Sequence, residues 1–77
     1  MASETIRALL ERAFPEAAEV AVVDRTGAGD HFHVTVVTNR FGDLPLIDQH
    51  RLVNAALAAP LADGTIHELR ITTRGTA

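Results

Sequence analysis

The run DHFHVTVVTNRF, Asp30 to Phe41, decides how the rest of this chain must fold. Phe32, Val34 and Val36 alternate with His31, His33 and Thr35, so one set faces a core while the other faces away. Period-two alternation of β-branched and aromatic residues is the pattern of a half-buried strand. The spacing predicts one strand over the whole run, bounded by Thr26-Gly27-Ala28-Gly29 before it and Gly42-Asp43-Leu44-Pro45 after it. Two of the chain's four histidines open this strand; His50 and His67 lie on the segments that must fold back over it.

Upstream, Glu19 to Asp24 (EVAVVD) reads as a strand with Val20 and Val22 on one face. Arg25 to Gly29 is turn material, short enough to make these two strands an antiparallel hairpin. Further upstream, Ile6, Leu9, Leu10, Ala13 and Phe14 recur at helical spacing, with Ser3 as the expected cap, Glu4 in the first turn and Pro15 as the stop. Glu16 to Glu19 is a short link. Downstream the period changes: Leu46, His50, Val53 and Leu57 form one helical stripe, with Asp43 or Asp48 at its N-terminal end. Pro60 is expected to break that helix or start a short turn, Leu61 to Asp63, which Gly64 then closes. Thr65 to Thr73 (TIHELRITT) reads as the last strand, with His67, Leu69 and Ile71 sharing a face, and Arg74 to Ala77 as a frayed tail.

The order is helix, strand, strand, helix with a short helical turn, strand. A hairpin followed by a helical crossover predicts an α+β fold with a three-stranded mixed sheet. The last strand runs parallel to the middle one, and the helices cover one face. The expected core is Ile6, Leu9, Leu10, Val20, Val22, Phe32, Val34, Val36, Val53, Leu57, Leu69 and Ile71. At 77 residues the chain is read as one domain, 1–77, with one modest core and little room for an enclosed pocket.

Composition narrows the chemistry. With no cysteine there is no disulfide, no thiol nucleophile and no thiolate metal ligand, so any metal must use histidine, carboxylates or a partner's groups. Ser3, near the terminus, is the only serine, and no acidic pair is placed by spacing, so an enzyme is not expected. Gly27-Ala28-Gly29 joins two strands instead of opening a helix, which argues against a phosphate loop. The net charge of −3 and the absence of Trp and Tyr disfavour general nucleic-acid binding, although an arginine patch is compatible with a weak form of it. Neither an apolar leader nor a membrane-length run is present, which makes a cytoplasmic address the expectation.

Three segments together resemble the BolA family over nearly the whole chain. They are D-H-F-x-V-x-V-V-x-x-x-F from Asp30 to Phe41, H-R-L-V-x-x-A-L from His50 to Leu57, and I-H-x-L from Ile66 to Leu69. The resemblance implies a mixed sheet related to the class II KH arrangement. It also implies a non-enzymatic partner of monothiol glutaredoxins, in iron–sulfur cluster trafficking or iron and redox regulation. In such pairs a [2Fe–2S] cluster is shared, with glutathione and the partner supplying thiolates and the I-H-x-L histidine, here His67, as one ligand. Some members are described as DNA-binding transcriptional regulators, which supplies the alternative, a KH-like nucleic-acid binder. Against that alternative, Ala59-Pro60-Leu61-Ala62 offers no G-x-x-G between paired helices.

The chain departs from the family pattern where the second ligand is expected. That ligand is a Cys or His in the loop between the first two strands, and Thr26 to Gly29 provides neither. His31, at the loop's end, is the nearest candidate. Read from the residues alone, His67 follows a helix end and a glycine, so its imidazole can project from a sheet edge. By parity with Leu69 and Ile71 it is equally a core-edge residue. His31 and His33 form an H-x-H pair roughly 7 Å apart by strand rise, a spacing that can chelate a metal, with two solvated imidazoles on the open face as the favoured reading. His50 is expected to be partly buried and hydrogen-bonded, and Arg51 to meet a partner's carboxylates; both count as candidate partner-binding residues. The chain alone is expected to be a monomer without a cluster, with a homodimer left open.

Overall fold

The computed structural model describes Ala2 to Gly75. Helix α1 (Ala2–Ala13) leads into strand β1 (Glu19–Asp24) and strand β2 (His31–Val37). A 3₁₀ turn (Asn39–Phe41), helix α2 (Leu46–Ala56) and helix α3 (Ala58–Ala62) then lead to strand β3 (Glu68–Arg74). The sheet order is β1-β2-β3, with β2 antiparallel to β1 and parallel to β3. The α+β architecture and its mixed sheet are those the periodicity predicts.

The central strand shows the expected alternation in its burial. Phe32, Val34 and Val36 are buried, while His31, His33, Thr35 and Val37 are half-buried. Register then carries the core sideways. Val20 pairs with Val36 and Val22 with Val34 across one ladder, and Phe32 with Leu69 and Val34 with Ile71 across the other. Val20, Val22, Leu69, Ile71 and Leu9 are only partly buried, since they lie on edge strands or the helix flank. Ile6 and Leu10 of α1, with Val53 and Leu57 at the C-terminal end of α2, close the face from above.

The hydrophobic core cluster also takes in Phe14, Phe41 and Ile66, which lie outside the expected core. Phe41 marks a correction, because the strand does not run to it. Thr38 ends β2 and caps the 3₁₀ turn, its Oγ1 accepting from the Arg40 N–H at 3.2 Å. That turn rotates Phe41 into the core, edge-on to Phe14 with centroids 5.5 Å apart. Arg40 lies over the Phe14 ring at 5.2 Å and covers its outer side.

Other boundaries also shift. Ser3 lies inside α1 and does not cap it. Leu46 is 60% exposed, so the α2 stripe buries only its later members, Val53 and, at the helix end, Leu57. The side-chain cap expected of Asp43 or Asp48 is absent: Pro45 is the N-cap, and Asp48 lies in the first turn, where its charge favours the helix end. Pro60 neither breaks nor starts α3; it is the third residue, buried, at a position whose N–H has no intrahelical acceptor to lose. Gly64 adopts φ 84° and ends the helical segment as expected. The last strand begins at Glu68, not Thr65, so His67 precedes it, and Arg74 is ordered within it; Thr76 and Ala77 lie outside the described residues.

Among the described residues every buried side-chain nitrogen or oxygen has a hydrogen-bond partner. Thr73 donates to Gln49 Oε1 at 2.6 Å, and Gln49 Nε2 donates to the Leu44 carbonyl at 2.8 Å, which ties β3, α2 and the intervening loop together. Among the described residues no helix is long and apolar enough to cross a membrane.

Candidate functional site

The hairpin turn sets the site's geometry. The Asp24 carboxylate accepts from the N–H groups of Thr26, Gly27 and Gly29 at 2.9–3.2 Å. Gly27 and Gly29 take φ of 78° and 81°, a region costly for residues with a Cβ. The turn closes with the Arg25 N–H on the His31 carbonyl at 2.8 Å and delivers Asp30 and His31 to the start of β2.

The parallel crossover brings the last strand to the same place. The Asp30 carbonyl accepts from the His67 N–H at 2.8 Å and from the Glu68 N–H at 3.2 Å, and His31 pairs with Glu68 in the ladder. Sequence positions 36 apart thus meet at one end of the sheet. His31 and His67, the two ligand candidates, are brought together, with ring centroids 6.4 Å apart and planes at 84°.

Asp30 joins them. Its Oδ1 lies 2.7 Å from His31 Nδ1 and its Oδ2 3.3 Å from His67 Nδ1. The hydrogen bond from His31 is the main reason the Asp30 carboxyl sits below its ordinary pKa; the positive charge available on both imidazoles adds to it, and partial burial opposes it. A carboxylate accepts only, so His31 Nδ1 is the protonated nitrogen and its Nε2 carries the lone pair in the neutral ring, whereas His67 stands at ion-pair distance from Asp30 without a hydrogen bond. An imidazole backed at one nitrogen by a carboxylate and open at the other is the arrangement that orients histidine metal ligands. Glu68 completes the surroundings: Oε1 is 3.1 Å from Arg25 Nη1, and Oε2 is 3.7 Å from His31 Nε2.

The remaining candidates do not join this cluster. His33 Nε2 is engaged with Thr72 Oγ1 at 2.8 Å, so the H-x-H pair is not arranged as a chelate. His50 is half-buried on α2, and the hydrogen bond expected of it is absent among the described residues. Arg51 is exposed and faces Asp48 of its own helix at 3.7 Å. The strand-edge projection expected of His67 holds in a modified form: it lies just before β3 and is exposed, not on a core edge. Asp30 and Glu68 were not singled out by the sequence reading. The adjacent Asp30-His31 pair was the only local signal; Glu68 needs the parallel register to be seen. No three His, Cys, Asp or Glu side chains among the described residues already converge as a metal cage.

The family model for BolA-like proteins matches residues 10–77. A BolA-like protein of Dictyostelium discoideum is 46% identical over 48 residues, which cover 62% of this chain and 42% of that protein. The protein named DNA-binding transcriptional regulator BolA of Vibrio cholerae is 51% identical over 47 residues, covering 61% of this chain and 43% of that protein. In both cases the match spans less than half of the relative's length. The structure of BolA1 from Arabidopsis thaliana superposes with a TM-score of 0.88 at 26% identity, covering 97% of this chain and 92% of that one. With the mixed sheet, the Asp30 to Phe41 strand and the family match all in agreement, the chain belongs to the BolA-like family.

Proposed function

We propose that this chain is a non-enzymatic adaptor that docks on a monothiol glutaredoxin and takes a share in holding a [2Fe–2S] cluster, which it helps to pass on or sense. The observation that carries this reading is the pair His31 and His67 on either side of Asp30, His31 hydrogen-bonded to it at Nδ1 and left with Nε2 as a donor, His67 exposed beside it at 3.3 Å. Two imidazoles on one tetrahedral metal, with metal–nitrogen bonds of about 2.0–2.1 Å, have ring centres roughly 5 Å apart. The observed 6.4 Å is therefore within a side-chain adjustment of that separation. His67, being exposed, is the ring with room to move.

The fit is that of half a site. The chain has no thiol, so the other iron's ligands, and whatever the second iron still needs, belong to the glutaredoxin and glutathione. Histidine ligation on one iron raises a cluster's potential relative to all-thiolate ligation, which would make the shared cluster electronically distinct from one held by glutaredoxin alone. Asp30 holds the His31 tautomer, and His67 and His31 provide nitrogen.

The test is reconstitution with the glutaredoxin, iron, sulfide and glutathione, followed by visible absorption and circular dichroism. The chain alone should stay colourless. The mixture should give a heterodimer whose spectrum differs from that of the glutaredoxin homodimer, and His67→Ala should abolish the difference. An unchanged heterodimer spectrum in His67→Ala would overturn the ligand assignment. The alternative, a KH-like DNA-binding regulator, has the Vibrio relative's name in its favour.

A further inference from the structure

Glu68 stands where no family motif requires an acid, in the x position of I-H-x-L, and its carboxylate is held at one oxygen. Arg25 Nη1 contacts Oε1 at 3.1 Å, with Arg70 Nε at 3.8 Å from the same atom. The other oxygen, Oε2, faces His31 Nε2 across 3.7 Å, too long for a hydrogen bond. Two donors on one tetrahedral ion at about 2.0–2.2 Å stand roughly 3.3–3.5 Å apart. The observed gap is a few tenths of an ångström from that value. It is also set by the backbone, since His31 and Glu68 are direct neighbours in the parallel ladder.

Each donor has its own support. Asp30 fixes the His31 ring through Nδ1 at 2.7 Å, and Arg25 fixes the Glu68 carboxylate. Support of this kind orients metal ligands, and its loss typically costs about 10–100-fold in affinity. Both side chains are accessible, 33% and 48% exposed, so an ion can reach the gap and solvent can fill its remaining positions.

We propose that His31 Nε2 and Glu68 Oε2 form a two-donor nitrogen–oxygen site for a divalent transition-metal ion, present on the chain itself and independent of any partner. Imidazole with carboxylate suits zinc and nickel, and water completes the coordination.

His31 Nε2 is also a donor in the adaptor reading, so ion and cluster would compete for it. The test uses the full chain without glutaredoxin, where only the ion is present and its outcome is distinguishable from that of the adaptor test. Zn²⁺ is titrated by calorimetry, and Ni²⁺ line broadening of backbone amides locates the ion. One equivalent should bind, with broadening centred on His31 and Glu68. His31→Gln and Glu68→Gln should each weaken binding at least tenfold, while His33→Gln stays within twofold. Because Glu68→Gln also loosens Arg25, each variant's unfolding midpoint is measured with and without Zn²⁺. The ion should raise it for the wild type and His33→Gln but not for Glu68→Gln. Wild-type affinity in Glu68→Gln, loss of binding in His33→Gln, or no binding by the wild type at millimolar Zn²⁺ would overturn the proposal.

Discussion

Asp30 is where single-residue chemistry matters most. Its carboxyl is held below the usual value of 3.8, chiefly by the His31 hydrogen bond. A group whose folded pKa is depressed contributes stability above its unfolded pKa and loses it as pH falls through the folded value. Asp63, lowered by hydrogen bonds from Thr65, behaves the same way. The expected outcome is an acid-side stability loss confined to pH below about 4, with carboxyl carbon NMR giving an Asp30 midpoint lower than that of an unfolded peptide. Asp30→Ala should remove that midpoint and the acceptor for His31, raising the exchange rate of the His31 Nδ1 proton. An Asp30 midpoint at or above the peptide value would mean that the His31 contact is not formed in solution. The residues of this site were half-legible. His31 and His67 carry a visible chemistry, whereas the roles of Asp30 and Glu68 exist only once a crossover sets β3 against β2. His33 shows the opposite failure, a visible H-x-H spacing whose second ring is taken by Thr72.

At the level of elements, the strands and helices were legible because alternation and helical spacing are read directly from side-chain type. What the pattern hid was the break at Thr38. The apolar residue Phe41 looks like a continuation of β2, yet a three-residue turn buries it from a different direction. Leu46 failed in the reverse sense: it is in phase with His50, Val53 and Leu57, but the first turn of α2 leaves it and Ile47 exposed. These differences predict a ranking. Phe32→Ala and Phe41→Ala should each cost on the order of 3–5 kcal/mol, since both rings are fully buried. Leu46→Ala should stay within about 0.5 kcal/mol. Urea unfolding of the three variants checks the order. A Phe41→Ala loss under about 1 kcal/mol would place that ring outside the core. Gln49→Ala should cost about 1–2 kcal/mol, because it leaves the buried Thr73 hydroxyl and the Leu44 carbonyl without their partner.

The charge layout of the whole molecule bears on what it can bind. The net charge is −3, and all seven basic residues are arginine. Their number alone suggests a basic patch, but the fold engages most of them internally. Arg7 donates to the Val20 carbonyl, Arg25 and Arg70 converge on Glu68, Arg40 spans the Ala13 carbonyl and Glu16, and Arg51 faces Asp48. A guanidinium already facing a carboxylate gains less from a phosphate, because one favourable contact is exchanged for another. Counterion release drives nonspecific duplex binding in proportion to the phosphates neutralised, so few free arginines mean a shallow salt slope. Fluorescence anisotropy with a random-sequence duplex should give a dissociation constant of about 10⁻⁴ M or weaker at physiological salt. Arg51→Ala and Arg74→Ala should change it little. Binding orders of magnitude tighter, with a steep salt dependence that Arg-to-Ala changes flatten, would instead favour the nucleic-acid reading over the adaptor. The intramolecular pairs would then be contacts that open to meet phosphate.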